Sequence, residues 1–396
     1  MPAQKAPERR QTFPASWYTE PAFYEFERRA IFSQSWLLIS HKLRFGAAGT
    51  YVRYEVAGIP FMLIKDRQGE IRAFLNICRH RAFPLVHQDE GKVSILACKY
   101  HGWSYGLNGN LAKAPRFDSV EDFDKKEYSL FQVHVHVDVR GFIWVNLDAA
   151  ETPTVSWEEQ FGGVDTQPRL SNFDMDDYEY NHTWGMEGKF NWKTLIENYN
   201  ECYHCPTAHP GLAPFIAQKQ LVYGCERYYI KHMGNAEEDR SAFVSPTYMF
   251  PNSSVTMTQE FFYMMQIVPT SATTSTMRYE VYRRKGIDPA KLEKELDFYS
   301  QVEGEDKWLA NGAQGNLNSG AFVTGPLHPD LEAGVSYTES IIREMLLKHA
   351  EREKVAGKQI WPAKRSASGS QLEEDEAFCK GICDGAGGAD AAKLAW

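Results

Sequence analysis

The chain has 396 residues, with 43 Lys+Arg against 52 Asp+Glu and a formal net charge of −9. This balance argues against nucleic acid or an anionic membrane as its main partner. With 43% apolar and 13% aromatic residues, disorder is excluded as the dominant state, and the length suggests two or three domains.

No apolar run approaches the roughly 18 residues of a membrane span. The N-terminus lacks the apolar core of a secretory signal, and Glu8 and several prolines suit a mitochondrial presequence poorly. A cytoplasmic location is therefore expected. Seven cysteines are too few and too unevenly placed for a disulfide framework.

Residues 1–45 read as a loose arm and a short helix expected to pack with the C-terminal domain. Thr19 and Pro21 offer a helix start, and Phe23, Phe26, Ala30 and Ile31 fall at helical spacing up to about Ser33. Residues 46–150 carry short β-rich runs at Tyr51–Val56, Pro60–Ile64, Ile71–Ile77 and Phe142–Leu147, broken by turn signals such as Asn108-Gly109. They predict a compact antiparallel β domain.

Residues 151–366 form the second expected domain. It opens with a linker-like stretch, 151–172, that contains prolines and Gly162-Gly163. A helix is predicted around Asn191–His204, strands at Phe261–Val268 and Thr276–Arg283, and helices near Lys291–Trp308 and Thr338–Lys354. The fold class is thus α+β. Residues 367–396, rich in Gly, Ala, Ser and acid, read as a flexible tail.

Two constellations carry chemistry. In NICRHRAFPLVHQDEGKVSILACKYHGWSYG, Cys78 and His80 form a C-x-H pair, and Cys98 and His101 a C-x2-H pair 17 residues on. Thiolates and imidazoles at two loop tips can converge on metal, and their types alone allow structural zinc as well as iron. The pattern resembles the Rieske family, in which two Cys hold one iron of a [2Fe–2S] cluster and two His the other. His87, His134 and His136 share this domain without ligand spacing and read as ordinary core or surface residues.

In NWKTLIENYNECYHCPTAHPGL, Trp192, Leu195, Ile196, Tyr199 and Tyr203 recur at helical spacing, with Glu201 and His204 on another face. Pro206 is expected to stop or bend the helix so that His209 comes round on the next turn. Two imidazoles and a carboxylate make the facial triad of non-haem iron(II) oxygenases, although H-x4-H alone is weak evidence. Cys202 and Cys205 read as helix packing residues, and Cys379 and Cys383 stand C-x3-C in the tail.

Together the two strings resemble the large (alpha) subunits of Rieske non-haem iron oxygenases over roughly residues 16–348. The resemblance implies an antiparallel β Rieske domain and a helix-grip-type catalytic domain. It implies His204 and His209 as iron ligands, Glu201 as the bridge between iron and cluster, and Asp306 as the third ligand, with Asp297, Glu303 and Glu305 as fallbacks and Asp375 less favoured. It further implies a mononuclear Fe(II), O₂, and NAD(P)H electrons from a separate reductase, with or without a ferredoxin. No G-x-G-x-x-G fingerprint places the nucleotide site in this chain. A head-to-tail homotrimer is implied, Glu201 meeting His80 or His101 of the partner subunit.

ENYNECYHC, with Glu at the bridge, is similar to the branch that oxidises quaternary ammonium compounds such as carnitine and glycine betaine, and SWYTEPAFYEFERRAIF with YHGWSYGLNGNLAKAP resembles the plant choline enzymes. CRH here departs from the CTH of the plant choline enzymes. The expected substrate is a small N-methyl cation; the alternatives are an aromatic or natural-product scaffold, or a pure electron carrier.

Overall fold

The computed structural model describes residues 11–211, 222–233, 244–365, 374–379 and 381. Cys383 and most of the expected tail lie outside them, while Asp375 and Cys379 are exposed in a short helical stretch. The arm begins with helices α1 (Ser16–Thr19) and α2 (Pro21–Glu27), the latter continued by a π-helical turn, Arg28–Phe32. The arm is tied down at both ends. The Phe13 amide donates to the Glu339 carboxylate at 3.1 Å, and Glu27 accepts from Lys193 Nζ at 2.5 Å and Trp192 Nε1 at 2.9 Å, all buried.

Ten strands follow: β1 (Trp36–His41), β2 (Thr50–Val56), β3 (Ile59–Lys65), β4 (Ile71–Leu75), β5 (Glu90–Lys92), β6 (Leu96–Ala97), β7 (Ser104–Tyr105), β8 (Leu111–Lys113), β9 (Gln132–Val137) and β10 (Phe142–Asn146). Seven make one antiparallel sheet in the order β1-β10-β9-β4-β3-β2-β5, and β6-β7-β8 make a small separate sheet. The first sheet thus begins ten residues before the expected boundary at 46, because Trp36–His41 pairs with Phe142–Asn146.

The stretch read as a linker is instead packed. Helix α3 (Trp157–Phe161), capped by the Ser156 hydroxyl, buries Trp157 and Phe161 against Trp144. Aromatic burial of this kind contributes on the order of 2–3 kcal/mol per side chain and overrides the loop signals of glycine and proline.

The second sheet is seven-stranded and antiparallel, a six-stranded meander with the first strand added beside the last. Its strands are β11 (Tyr178–Gly188), β12 (Val222–Glu226), β13 (Tyr229–Met233), β14 (Val244–Met249), β15 (Ser253–Thr258), β16 (Phe261–Pro269) and β17 (Ser275–Arg284), in the order β11-β17-β16-β15-β14-β13-β12. Helix α4 (Trp192–Tyr199), short α5 (Cys205–Ala208), α6 (Pro289–Asn318) and α7 (Ala333–Ala356) accompany it, with α4 packed against α6, α7 and β16. One apolar core runs between the sheets, from Phe61, Leu63 and Val145 to Trp192, Ile196, Met265 and Tyr279. A separate core lies under the β6–β8 loops. No described helix is long and apolar enough to cross a membrane.

Helix α4 stops at Tyr199, five residues before the expected end. The next residue, Asn200, is fully buried; its side-chain Nδ2 donates to Ile196 O at 3.0 Å and its Oδ1 meets His232 Nε2 at 3.1 Å on β13. Gly334 of α7 sits on its carbonyl, where a Cβ would lie 2.3 Å from the oxygen. These contacts fix a break that local propensity does not call for. Pro206 then occupies the first turn of α5 and starts that helix instead of ending the previous one.

Candidate metal centres

The two Cys-His loops share one hydrogen-bonding plan. The Cys78 amide donates to Phe83 O and the Ala82 amide to Cys78 O; the Cys98 amide donates to Trp103 O and the Gly102 amide to Cys98 O. The fourth residue after each cysteine has positive φ, +55° at Ala82 and +74° at Gly102, which explains the glycine of the HGW string. The cysteines are buried, at 2% and 4% exposure, whereas His80 is half-buried and His101 exposed.

The rings of His80 and His101 stand 4.6 Å apart, and His80 lies flat on Trp103 at 5.0 Å. Tyr105 Oη is 3.4 Å from Cys78 Sγ and accepts from the Arg79 amide. Burial, then the neighbouring His101 and Arg81, lowers the His80 pKa and keeps the ring in its neutral, ligating form. Its Nδ1 is buried without a hydrogen-bond partner, the state of a donor atom shaped for a metal. The four residues fit a two-iron cluster: thiols inside, imidazoles at the outer tip. His87, His134 and His136 stand apart, His134 on Ala150 O and His136 stacked on Trp157.

The second centre forms where the α4–α5 break faces α6. His204 Nε2 and His209 Nε2 are 3.1 Å apart, and Asp306 Oδ1 lies 3.3 Å from the first and 3.1 Å from the second. Ligand atoms about 2.1 Å from one metal at right angles are about 3 Å apart, so these three atoms form one face of an octahedron. Asp306 Oδ1 is buried and finds no hydrogen-bond donor. The residues therefore fit a mononuclear iron with open positions.

Both imidazoles are aimed from behind. His204 Nδ1 meets Glu201 Oε1 in a very short contact, and His209 Nδ1 meets Glu305 Oε2 at 2.7 Å. A carboxylate on Nδ1 fixes the tautomer and leaves Nε2 to ligate. Glu201 lies beyond the end of α4, so the expected shared helical face is replaced by a cap: its Oε2 accepts the amides of Tyr203 and His204.

Three carboxylates thus surround two histidines. Burial opposes charging His204, yet Asp306 and Glu201 raise it to about 9; His209 is also raised by Asp306 and Glu305 against burial. A field that draws protons this strongly suits a dication.

Of the fallback acids, Glu305 is the support of His209, one residue and about 100° round the helix from Asp306, and Asp297 is exposed. Glu303 is buried on Tyr279 and Tyr263, and burial, then the Asp306 charge, raises it to about 8. Cys202 and Cys205 are not separate packing residues: the turn brings their Cα atoms to 5.0 Å and they form a disulfide bracketing His204. The support role of Glu305 carried no sequence signal beyond its place beside Asp306.

Comparison with known proteins agrees with this layout. Residues 35–124 match the Rieske [2Fe-2S] domain family, and residues 175–247 and 233–348 match the catalytic domain of ring hydroxylating alpha subunits. The chain is 26% identical over 353 residues to the carnitine monooxygenase oxygenase subunit of Acinetobacter baumannii, covering 84% of this chain and 94% of that one. It is 27% identical over 353 residues to the chloroplastic choline monooxygenase of Beta vulgaris, covering 86% and 78%. The crystal structure of the quaternary ammonium Rieske monooxygenase CntA with L-carnitine superposes with a TM-score of 0.76 at 26% identity, over 85% of this chain and 95% of that one. Matched in both halves and in this order, the chain belongs to the Rieske non-haem iron oxygenase alpha-subunit family, oxidoreductases that use a [2Fe–2S] cluster and a mononuclear iron.

Proposed function

We propose that this chain hydroxylates a small quaternary ammonium compound at or beside an N-methyl group, with electrons from a separate NAD(P)H reductase. The observation that carries the reading is the likeness, over 85% of the chain, to a quaternary ammonium monooxygenase crystallised with L-carnitine. The name of the Acinetobacter relative, an oxygenase subunit, supports a separate electron donor. The net change is R–CH₃ + O₂ + 2e⁻ + 2H⁺ → R–CH₂OH + H₂O; on an N-methyl carbon the product collapses to amine and formaldehyde.

In this reading Cys78, Cys98, His80 and His101 hold the cluster, and His204, His209 and Asp306 hold the iron. When bound, the cluster supplies single electrons and the iron a site where O₂ is activated. Glu201 and Glu305 keep the two imidazoles pointed inward by accepting from Nδ1.

The exposed ring of His101 and the exposed Tyr203 beside Glu201 support a head-to-tail ring of three copies. In that ring Glu201 would join His204 to His101 of the partner subunit. A heterologous contact closes into a ring when its rotation allows.

The test is a reaction with a Rieske reductase, NADH and O₂, screening choline, carnitine and glycine betaine against aromatic acids. Product-coupled NADH loss with a quaternary amine is the expected result. Turnover of aromatic acids alone would overturn the reading.

A further inference from the structure

Glu303 differs from the buried carboxylates that are held by a basic residue. Glu27 is paired with Lys193, and Glu280 with Arg44 and Arg278. Glu303, at 6% exposure, has no lysine or arginine partner among the described residues; its oxygens accept from Tyr279 Oη at 2.7 Å and Tyr263 Oη at 3.4 Å. It lies on the inward face of α6, one turn before Asp306. Burying an unpaired carboxylate costs several kcal/mol, and phenol donors repay only part of that.

The surroundings are aromatic. Tyr263 stands 5.5 Å from Tyr299 and 6.3 Å from Tyr279, which is stacked on Trp184 at 4.1 Å. The Tyr199 hydroxyl is shut off from solvent with no hydrogen-bond partner. A trimethylammonium group donates no conventional hydrogen bond, so it is held by ring faces and by a negative charge acting through space. A carboxylate whose oxygens are already engaged by phenols can supply that charge without needing a donor from the ligand.

We infer that Glu303 is the counter-charge that selects a quaternary ammonium substrate, holding it against the Tyr263–Tyr279 wall beside Asp306. The inference rests on the ammonium reading above and adds the residue that recognises the charge.

Matched ligands separate charge recognition from shape. Glycine betaine is compared with 3,3-dimethylbutanoate, and choline with 3,3-dimethylbutan-1-ol, each pair exchanging N⁺ for carbon. Binding is measured by calorimetry on the anaerobic holoenzyme, with cluster absorption and iron content as checks on folding. The wild type should favour the ammonium partner by about tenfold or more. Glu303→Gln should bring that preference to within about threefold while leaving the neutral ligand's Kd unchanged.

Glu303→Asp, which withdraws the charge by one methylene, should lower the preference part of the way, and it serves as the test should the Gln variant lose its metals. A preference that survives in these variants overturns the role of Glu303 alone. A wild type with no ammonium preference in either pair overturns the reading beneath it.

Discussion

The cluster end and the iron end of this molecule are built by opposite means. At the cluster end the backbone positions the proposed ligands: two loops repeat the same pair of amide bonds around Cys78 and Cys98, and all four proposed ligand residues come from one short stretch. At the iron end, side chains carry that task. Glu201 and Glu305 aim the histidines, and Asp306, the proposed third ligand, arrives from a helix about a hundred residues downstream. The first centre is a local motif that the fold carries; the second exists only when α4, α5 and α6 are packed together.

The sharpest way to break this comparison is to remove one ligand at each end. Cys98→Ser should abolish the cluster's visible absorption and lower iron from about three to about one per chain, leaving the mononuclear iron in place. His204→Ala should abolish product formation, lower iron to about two per chain and leave the absorption unchanged. Loss of both centres in either variant would show that the two ends are not independent.

Next in size is stability. Glu27→Ala leaves Lys193 buried and unpaired beneath α4, and should cost about 3–5 kcal/mol in denaturant unfolding. Because Lys193 belongs to α4, iron retention should suffer more than cluster absorption. The supporting acids come third: Glu305→Gln and Glu201→Gln should each weaken iron affinity about 10–100-fold, and only Glu201→Gln should also slow reduction of the iron in a single turnover.

The last expected effect is on pH. Burial lowers His41, the last residue of β1, to about 4; burial and then Arg169 lower His232, on β13 beside α4, to about 3. Both are protonated in the unfolded chain below about 6.5. The stability they contribute is therefore fully present above that pH and lost as pH falls toward 4. The slope should approach about 1.4 kcal/mol per pH unit for each histidine. Urea midpoints between pH 7 and 4.5 measure this, and His232→Gln should flatten the curve by about one proton.

The same contrast explains what the sequence revealed. Strands with clear period lie within a few residues of their expected ends and α7 within five, whereas α6 runs ten residues past its expected end at Trp308; the Rieske string named its four candidates outright. The end of α4 was not legible, because Asn200 is held by His232 and Gly334 from distant elements. Strand β11 was missed for its polar composition and the bulge between Tyr180 and His182. Asp306 was reachable only through family resemblance. The different tasks of Glu303, Glu305 and Asp306 follow from the angle at which each leaves α6, and no local pattern encodes which angle faces the histidines.

In this reading one chain houses a histidine-ligated cluster and a separate triad-bound iron. Metal analysis of anaerobically reconstituted protein, read together with its visible spectrum, tests this most directly. The expected result is about three irons and about two acid-labile sulfides per chain with Rieske-type absorption; colourless protein holding zinc, or coloured protein with only two irons, would contradict it.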